Sequence, residues 1–225
     1  MGVMIAGVYS AEDPGPDTVE GGAFQRTKAT IRNWITKDGV SGFPAEAGRY
    51  HLYAAWNCPW AHRALLMRAE KGLEGAISVS CAKPRRTPEG WVFDEDGPYS
   101  DGLKRVAALH EVYAQDAAPY TGRVTVPLLW DKVADRAVSN ESADIVRMLG
   151  DAFEGPDLAP EDLLDVIDAW NARIYRDVNN GVYRAGFART QEAYDTAVRD
   201  VFAALDEIEA HLEENTWLCG DRDTE

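Results

Sequence analysis

The chain has 225 residues, 45% of them hydrophobic, and a formal net charge of -15. That is enough apolar material for one large or two modest cores. The negative field disfavours nucleic acid and anionic lipid as partners, while a small anion can still be read by its own local pocket. Three cysteines (Cys58, Cys81 and Cys219) are too few for a disulfide scaffold and fit a reducing, cytoplasmic setting. The opening residues lack the basic start of a signal peptide, and no run reaches the ~18 apolar residues of a membrane span.

Residues 1–23 are rich in glycine, proline and acid, and read as the first part of an extended N-terminal arm over 1–45. Arg49–Ala55 is aromatic-rich and reads as a strand. Pro59 suits the first position of a helix that Ala61, Ala64, Leu65, Arg68 and Ala69 continue and Gly72 ends. Ile77–Cys81 is a second strand, closing a β-α-β unit. Residues 83–122 interrupt with turn residues such as Pro84, Pro88, Gly90 and Gly97, and with a short helix around Leu103–Tyr113. Val126–Asp131 is an apolar strand and Ala137–Val138 a short returning one. Ser139 or Asn140 can cap a helix from Glu141 to about Leu149. The order over 46–150 is β-α-β, insertion, β-β-α, and 150–160 reads as a linker.

Beyond Pro160 the pattern is helical only. Leu163, Leu164, Ile167, Trp170, Ile174 and Val178 share one helix, which Gly181 and Gly186 break near its end. Ala197, Val201, Leu205, Ile208 and Leu212 form the stripe of another helix over Ala193–Glu214. Asp223 or Thr224 resembles an N-cap with no helix after it, so 160–225 is expected to be a partial, C-terminally truncated all-helical domain.

The chemistry centres on Cys58. A helix N-terminus offers unpaired N–H groups and about half a positive charge, which lowers a thiol pKa. In Cys58-Pro59-Trp60-Ala61 the fourth position is not cysteine, so no disulfide can close within the loop. An outside thiol must resolve any mixed disulfide, and glutathione is the common one; the alternative is a small buried hydrophobe. Val126-Pro127 precedes a strand and can be cis or trans. A cis bond there would present the preceding backbone to a peptide ligand. Glu141 and Ser142 open a helix, where they either cap it or hold the ammonium and carboxylate of a ligand. Trp91 is either packing or a contact, Arg85, Arg86 and Arg123 are solvated charges or glutathione guides, and His62 is a structural or solvated side chain rather than a base. No metal is expected.

Several stretches together resemble the glutathionyl-hydroquinone reductases, the Xi class of glutathione transferases. They are Arg49-Tyr50-His51-Leu52-Tyr53, Cys58-Pro59-Trp60-Ala61-His62-Arg63, Glu89-Gly90-Trp91-Val92-Phe93, Arg123-Val124-Thr125-Val126-Pro127, Ser139-Asn140-Glu141-Ser142 and Asn179-Asn180-Gly181-Val182-Tyr183-Arg184-Ala185-Gly186-Phe187-Ala188. The resemblance covers nearly the whole chain. It implies an α/β thioredoxin-like glutathione-binding domain over 46–150, followed by the all-α domain, in a glutathione transferase fold. It also implies reduction of glutathionyl-hydroquinones by glutathione, with Cys58 as the nucleophile that holds glutathione as a mixed disulfide and Tyr183 as the acid. Trp91, Arg123, Val124, Thr125 and Val126 match the family's glutathione contacts, and Glu141 and Ser142 its γ-glutamyl clamp. Family members continue with further helices and form homodimers; this sequence ends at Glu225, either as a fragment or as a protein without those helices. Two other readings stay open: an omega-like thioltransferase or dehydroascorbate reductase, which would not need Tyr183, and a truncated, non-catalytic glutathione-binding module.

Overall fold

Residues 3–10 fold back on themselves. Val3–Ile5 (β1) and Val8–Ser10 (β2) pair antiparallel around the two-residue loop Ala6-Gly7. The φ angles of this loop, 48° and 82°, match the twist of a hairpin. Gly122–Arg123 (β5) adds to the other edge of β1, giving the order β2-β1-β5. Residues 3–10 are thus a hairpin, not the extended arm expected. Strands of three residues leave little trace in composition.

The computed structural model describes residues 2–12, 19–116 and 118–224, so the part of the expected arm at 13–18 lies outside the described residues. Two units emerge, Met1–Pro14 with Ala29–Pro156, and Gly15–Lys28 with Asp157–Glu225.

The first unit is built on a second sheet. Its strands are Tyr50–Ala54 (β3), Ile77–Cys81 (β4), Leu128–Asp131 (β6) and Arg136–Ser139 (β7), in the order β4-β3-β6-β7. β3 and β4 run parallel, joined through the helix Pro59–Glu70 (α1), while β6 and β7 run antiparallel to their neighbours. The expected β-α-β, insertion, β-β-α order is present. Within the insertion the helix is Leu109–Ala114 (α2), shorter than the Leu103–Tyr113 expected. The last helix of the unit, Ser142–Ala152 (α3), reaches three residues past Leu149 and packs on α1.

Side chains alternate across a strand, so His51 and Tyr53 share one face of β3. Ser78 and Ser80 stand beside them on β4. His51 is buried, with Nδ1 2.7 Å from the Ser78 hydroxyl and Nε2 2.9 Å from that of Ser80. The Ser80 hydroxyl donates its one proton to Asp101 (3.3 Å), so His51 Nε2 must be the donor to Ser80, and the neutral ring carries its proton there. Burial lowers the His51 pKa from 6.5 to about 4, against the pull of Asp101. The unfolded chain therefore takes up this proton first, and stability falls as pH drops from about 6.5 towards about 4. Between roughly pH 7 and pH 5 this histidine alone is expected to remove about 2 kcal/mol. Urea denaturation at both pH values checks it: a His51→Gln variant should lose that part of the slope, and an unchanged slope contradicts the assignment.

The second unit is helical. Leu164–Ile174 (α4) runs into a π-helical turn at Tyr175–Asn179. Gly181 then opens a new helix, Gly181–Gly186 (α5), rather than only breaking the old one. The glycine is required by close approach: a Cβ there would lie 2.8 Å from Val201 Cγ2 of the long helix Gln191–Leu212 (α6). Thr190 caps α6, its hydroxyl accepting from Ala193 N at 3.3 Å. Ala197, Val201 and Ala204 are the buried stripe of α6, whereas Leu205 and Leu212, expected in that stripe, are exposed. Residues 21–24 belong to this unit: Arg189 N donates to Gly22 O (2.9 Å) and the Thr190 hydroxyl to Gly21 O (2.7 Å).

Candidate active site

Cys58 lies where β3 gives way to α1. Its N–H bonds back to Ala55 O at 3.0 Å, and Pro59 follows as the first helical residue, so the sulfur sits at the N-cap of α1. The residue is 9% exposed, and its thiol donates to Val126 O at 3.5 Å. The Val126-Pro127 peptide, open to either isomer from sequence, is cis. Cys58, Cys81 and Cys219 carry no disulfide.

The segment that faces Cys58 is held by side chains from elsewhere in the unit. Tyr113 OH donates to Thr125 O at 2.9 Å and Tyr120 OH to Arg123 O at 3.0 Å. Asn140 Nδ2 reaches both phenol oxygens, at 3.4 and 3.3 Å, and its Oδ1 accepts from Ile31 N at 3.2 Å. Burial pushes both phenols above their ordinary pKa, which keeps them neutral donors. Asn140 therefore ties strands and arm together and does not cap α3. The cap is Glu141, which accepts from Ala143 N at 3.2 Å. Tyr113 and Asn140 support this segment through partners 12 to 27 residues away, outside any local pattern, whereas Tyr120 reaches Arg123 only three residues on.

Cys58, Trp91, Val124 and Val126 belong to one buried cluster that also holds Ala61 and Tyr113. Trp91 is thus part of the main core; the Arg86 guanidinium lies 5.2 Å from its ring centroid. Arg123 is in β5 and Thr125 just beyond it. Ser142 opens α3, and its hydroxyl is buried without a hydrogen-bond partner. A buried orphan hydroxyl at a helix N-terminus is suited to an anionic group such as a carboxylate. His62 is exposed, in keeping with its reading as a solvated side chain. Tyr183 lies in α5 of the second unit, with the Arg26 guanidinium 4.2 Å from its ring centroid. Among the described residues no group of histidine, cysteine, aspartate or glutamate could hold a metal ion, and no helix is long and apolar enough to cross a membrane.

A helix-start cysteine beside a cis-proline strand, followed by a helical unit, defines a glutathione transferase, and the family model for the glutathione S-transferase N-terminal domain matches residues 57–152. Over 239 residues the chain is 46% identical to the glutathionyl-hydroquinone reductase YqjG of Escherichia coli, covering 100% of this chain and 72% of the reductase. It is also 46% identical over 232 residues to the glutathionyl-hydroquinone reductase PcpF of Sphingobium chlorophenolicum, with the same two coverages. The glutathione-bound structure of YqjG superposes with a TM-score of 0.82 at 47% identity, covering 86% of this chain and 67% of that one. The Xi-class transferase of Natrialba magadii superposes at 0.87 and 42% identity, covering 100% and 69%. The chain belongs to the glutathionyl-hydroquinone reductases, the Xi class of glutathione transferases.

Proposed function

We propose that the protein is an enzyme that reduces glutathionyl-hydroquinones to hydroquinones at the expense of glutathione. The observation that carries this reading is Cys58, a buried thiol at the start of α1 with Ala61 where a second thiol would close a disulfide. The Cys58 thiolate attacks the glutathione sulfur of the substrate thioether, so the S–S bond forms as the aryl C–S bond breaks. The aryl carbon takes a proton from Tyr183, giving the free hydroquinone, because carbon leaves poorly unless protonated. A second glutathione thiolate attacks the mixed disulfide, releasing glutathione disulfide and the Cys58 thiolate, and Tyr183 recovers a proton from solvent.

Residues 46–150 are proposed as the glutathione-binding domain, with 160–225 as part of an all-helical domain. In this reading Ser142 and Glu141 hold the γ-glutamyl end, the hydroxyl of Ser142 gaining the partner it lacks. Arg123, Val124, Thr125 and Val126 line the peptide, and Trp91 lies beside the sulfur. Glutathione acts as co-substrate with no metal, glutathionylated aromatic molecules are the other substrates, and a reducing cytoplasm suits three cysteines that form no disulfide.

Mass spectrometry after mixing with a glutathionyl-hydroquinone should show glutathione on Cys58; an unmodified Cys58 under turnover sinks the reading. Tyr183→Phe is expected to slow thioether reduction by about a hundredfold, while leaving exchange with a small disulfide intact. Full thioether activity in that variant would favour a thioltransferase of the omega-like kind instead.

A further inference from the structure

Resting on the reading of Tyr183 as the acid, we propose that Arg26 is a positioning residue for the Tyr183 ring. Arg26 Nε donates to Asn180 Oδ1 at 2.8 Å, 154 residues away in sequence. Its guanidinium carbon lies 4.2 Å from the Tyr183 ring centroid, within the range of a cation–π contact. Asn180 is also the N-cap of α5, and its carbonyl accepts from Tyr183 N at 3.1 Å. One guanidinium therefore grips the start of α5 and covers a face of the ring that α5 carries. A planar guanidinium has its orientation set by the bond through Nε, so the Asn180 bond also sets where the cation lies over the phenol.

Arg26 is itself held in place. Phe24 packs on Phe187 with ring centroids 5.3 Å apart, and Phe187 lies 6.2 Å from Tyr183. Gly22, at φ +77°, lies so close to α6 that a Cβ would meet Thr190 Cγ2 at 2.9 Å. Residues 22–26 thus form a clasp whose last member rests on the proposed acid. Transfer of a proton to carbon needs the phenol oxygen in one place, whereas attack of Cys58 on a disulfide sulfur has a thiolate leaving group and needs no such proton.

The test compares two substrates across five variants. With glutathionyl-hydroquinone, Arg26→Ala should lower kcat about tenfold with KM little changed. With the mixed disulfide of glutathione and 2-mercaptoethanol it should turn over as the parent does. Arg26→Lys, which keeps a cation over the ring, should recover most of the rate, and Arg26→Met, which keeps only the stem, should not. Arg26→Met also replaces Arg26→Ala if the latter does not fold. Added to Tyr183→Phe, Arg26→Ala should slow the thioether reaction no further. A further tenfold loss in the double variant, or equal loss on both substrates, shows a general structural clasp and overturns the proposal. Normal thioether turnover by Tyr183→Phe alone removes the acid, and this proposal with it; a slow Tyr183→Phe beside an unimpaired Arg26→Ala removes only the role of Arg26.

Discussion

Cys58→Ala is expected to lower turnover of glutathionyl-hydroquinone on the order of a thousandfold or more, leaving glutathione bound but never covalently attached. The size follows from the chemistry. Without the sulfur, glutathione itself must attack the thioether with no covalent step to divide the barrier, and a thousandfold corresponds to about 4 kcal/mol. Binding is expected to persist because the contacts proposed for glutathione, Ser142, Glu141 and the Arg123–Val126 segment, are untouched by the change. The variant should also fold, since alanine keeps the N-cap backbone and stays apolar within the cluster, while the 3.5 Å contact with Val126 O is given up. Stopped-flow release of hydroquinone, with calorimetry for glutathione binding, separates the two effects. Turnover within a few-fold of the parent protein would remove Cys58 from the mechanism.

The second large effect concerns stability. Asp131 ends β6 with its side chain fully buried, and one carboxylate oxygen accepts from Arg49 Nε at 2.9 Å and Nη2 at 2.7 Å. The other accepts from Val133 N at 2.8 Å and Ala134 N at 3.1 Å, closing the turn into β7. Asp131→Ala leaves the Arg49 guanidinium, only 12% exposed, without its buried counter-charge and strips two turn amides of their acceptor. Breaking a buried pair from one side costs about 3–5 kcal/mol. Asp131→Asn, which keeps an acceptor for the turn, should lose less. Denaturant unfolding of both variants measures this, and a loss below about 1 kcal/mol for Asp131→Ala would show that the strand ladder alone holds the turn.

Much of this architecture can be read from local pattern. Ile77–Cys81 is a strand with the bounds expected, and Pro59 opens α1 as its ring geometry requires. The place of Cys58 at the start of that helix needs only the second of these facts. What escapes is whatever depends on distant partners. The hairpin around Ala6-Gly7 has a Gly at a two-residue loop, but Ala6 at φ 48° stands where Asn or Asp is usual, and so hides the signal. Asn140 looks like a cap by composition, yet its amide is taken by Tyr113, Tyr120 and Ile31, leaving Glu141 to cap. The contact of Arg26 with Tyr183 has no sequence signature at all, because cation and ring meet across most of the chain.

The second unit draws on two stretches far apart in the sequence, since Gly21, Gly22, Phe24 and Arg26 bond to or pack on residues from Asn180 to Thr190. During vectorial synthesis these early residues leave the ribosome first and must wait for their partners until the entire intervening unit has been translated. A helical fragment beginning at Asp157 would therefore be made without its own clasp. A circularly permuted chain, begun at Asp157 and carrying residues 19–28 after residue 224, would restore the two as near neighbours in time.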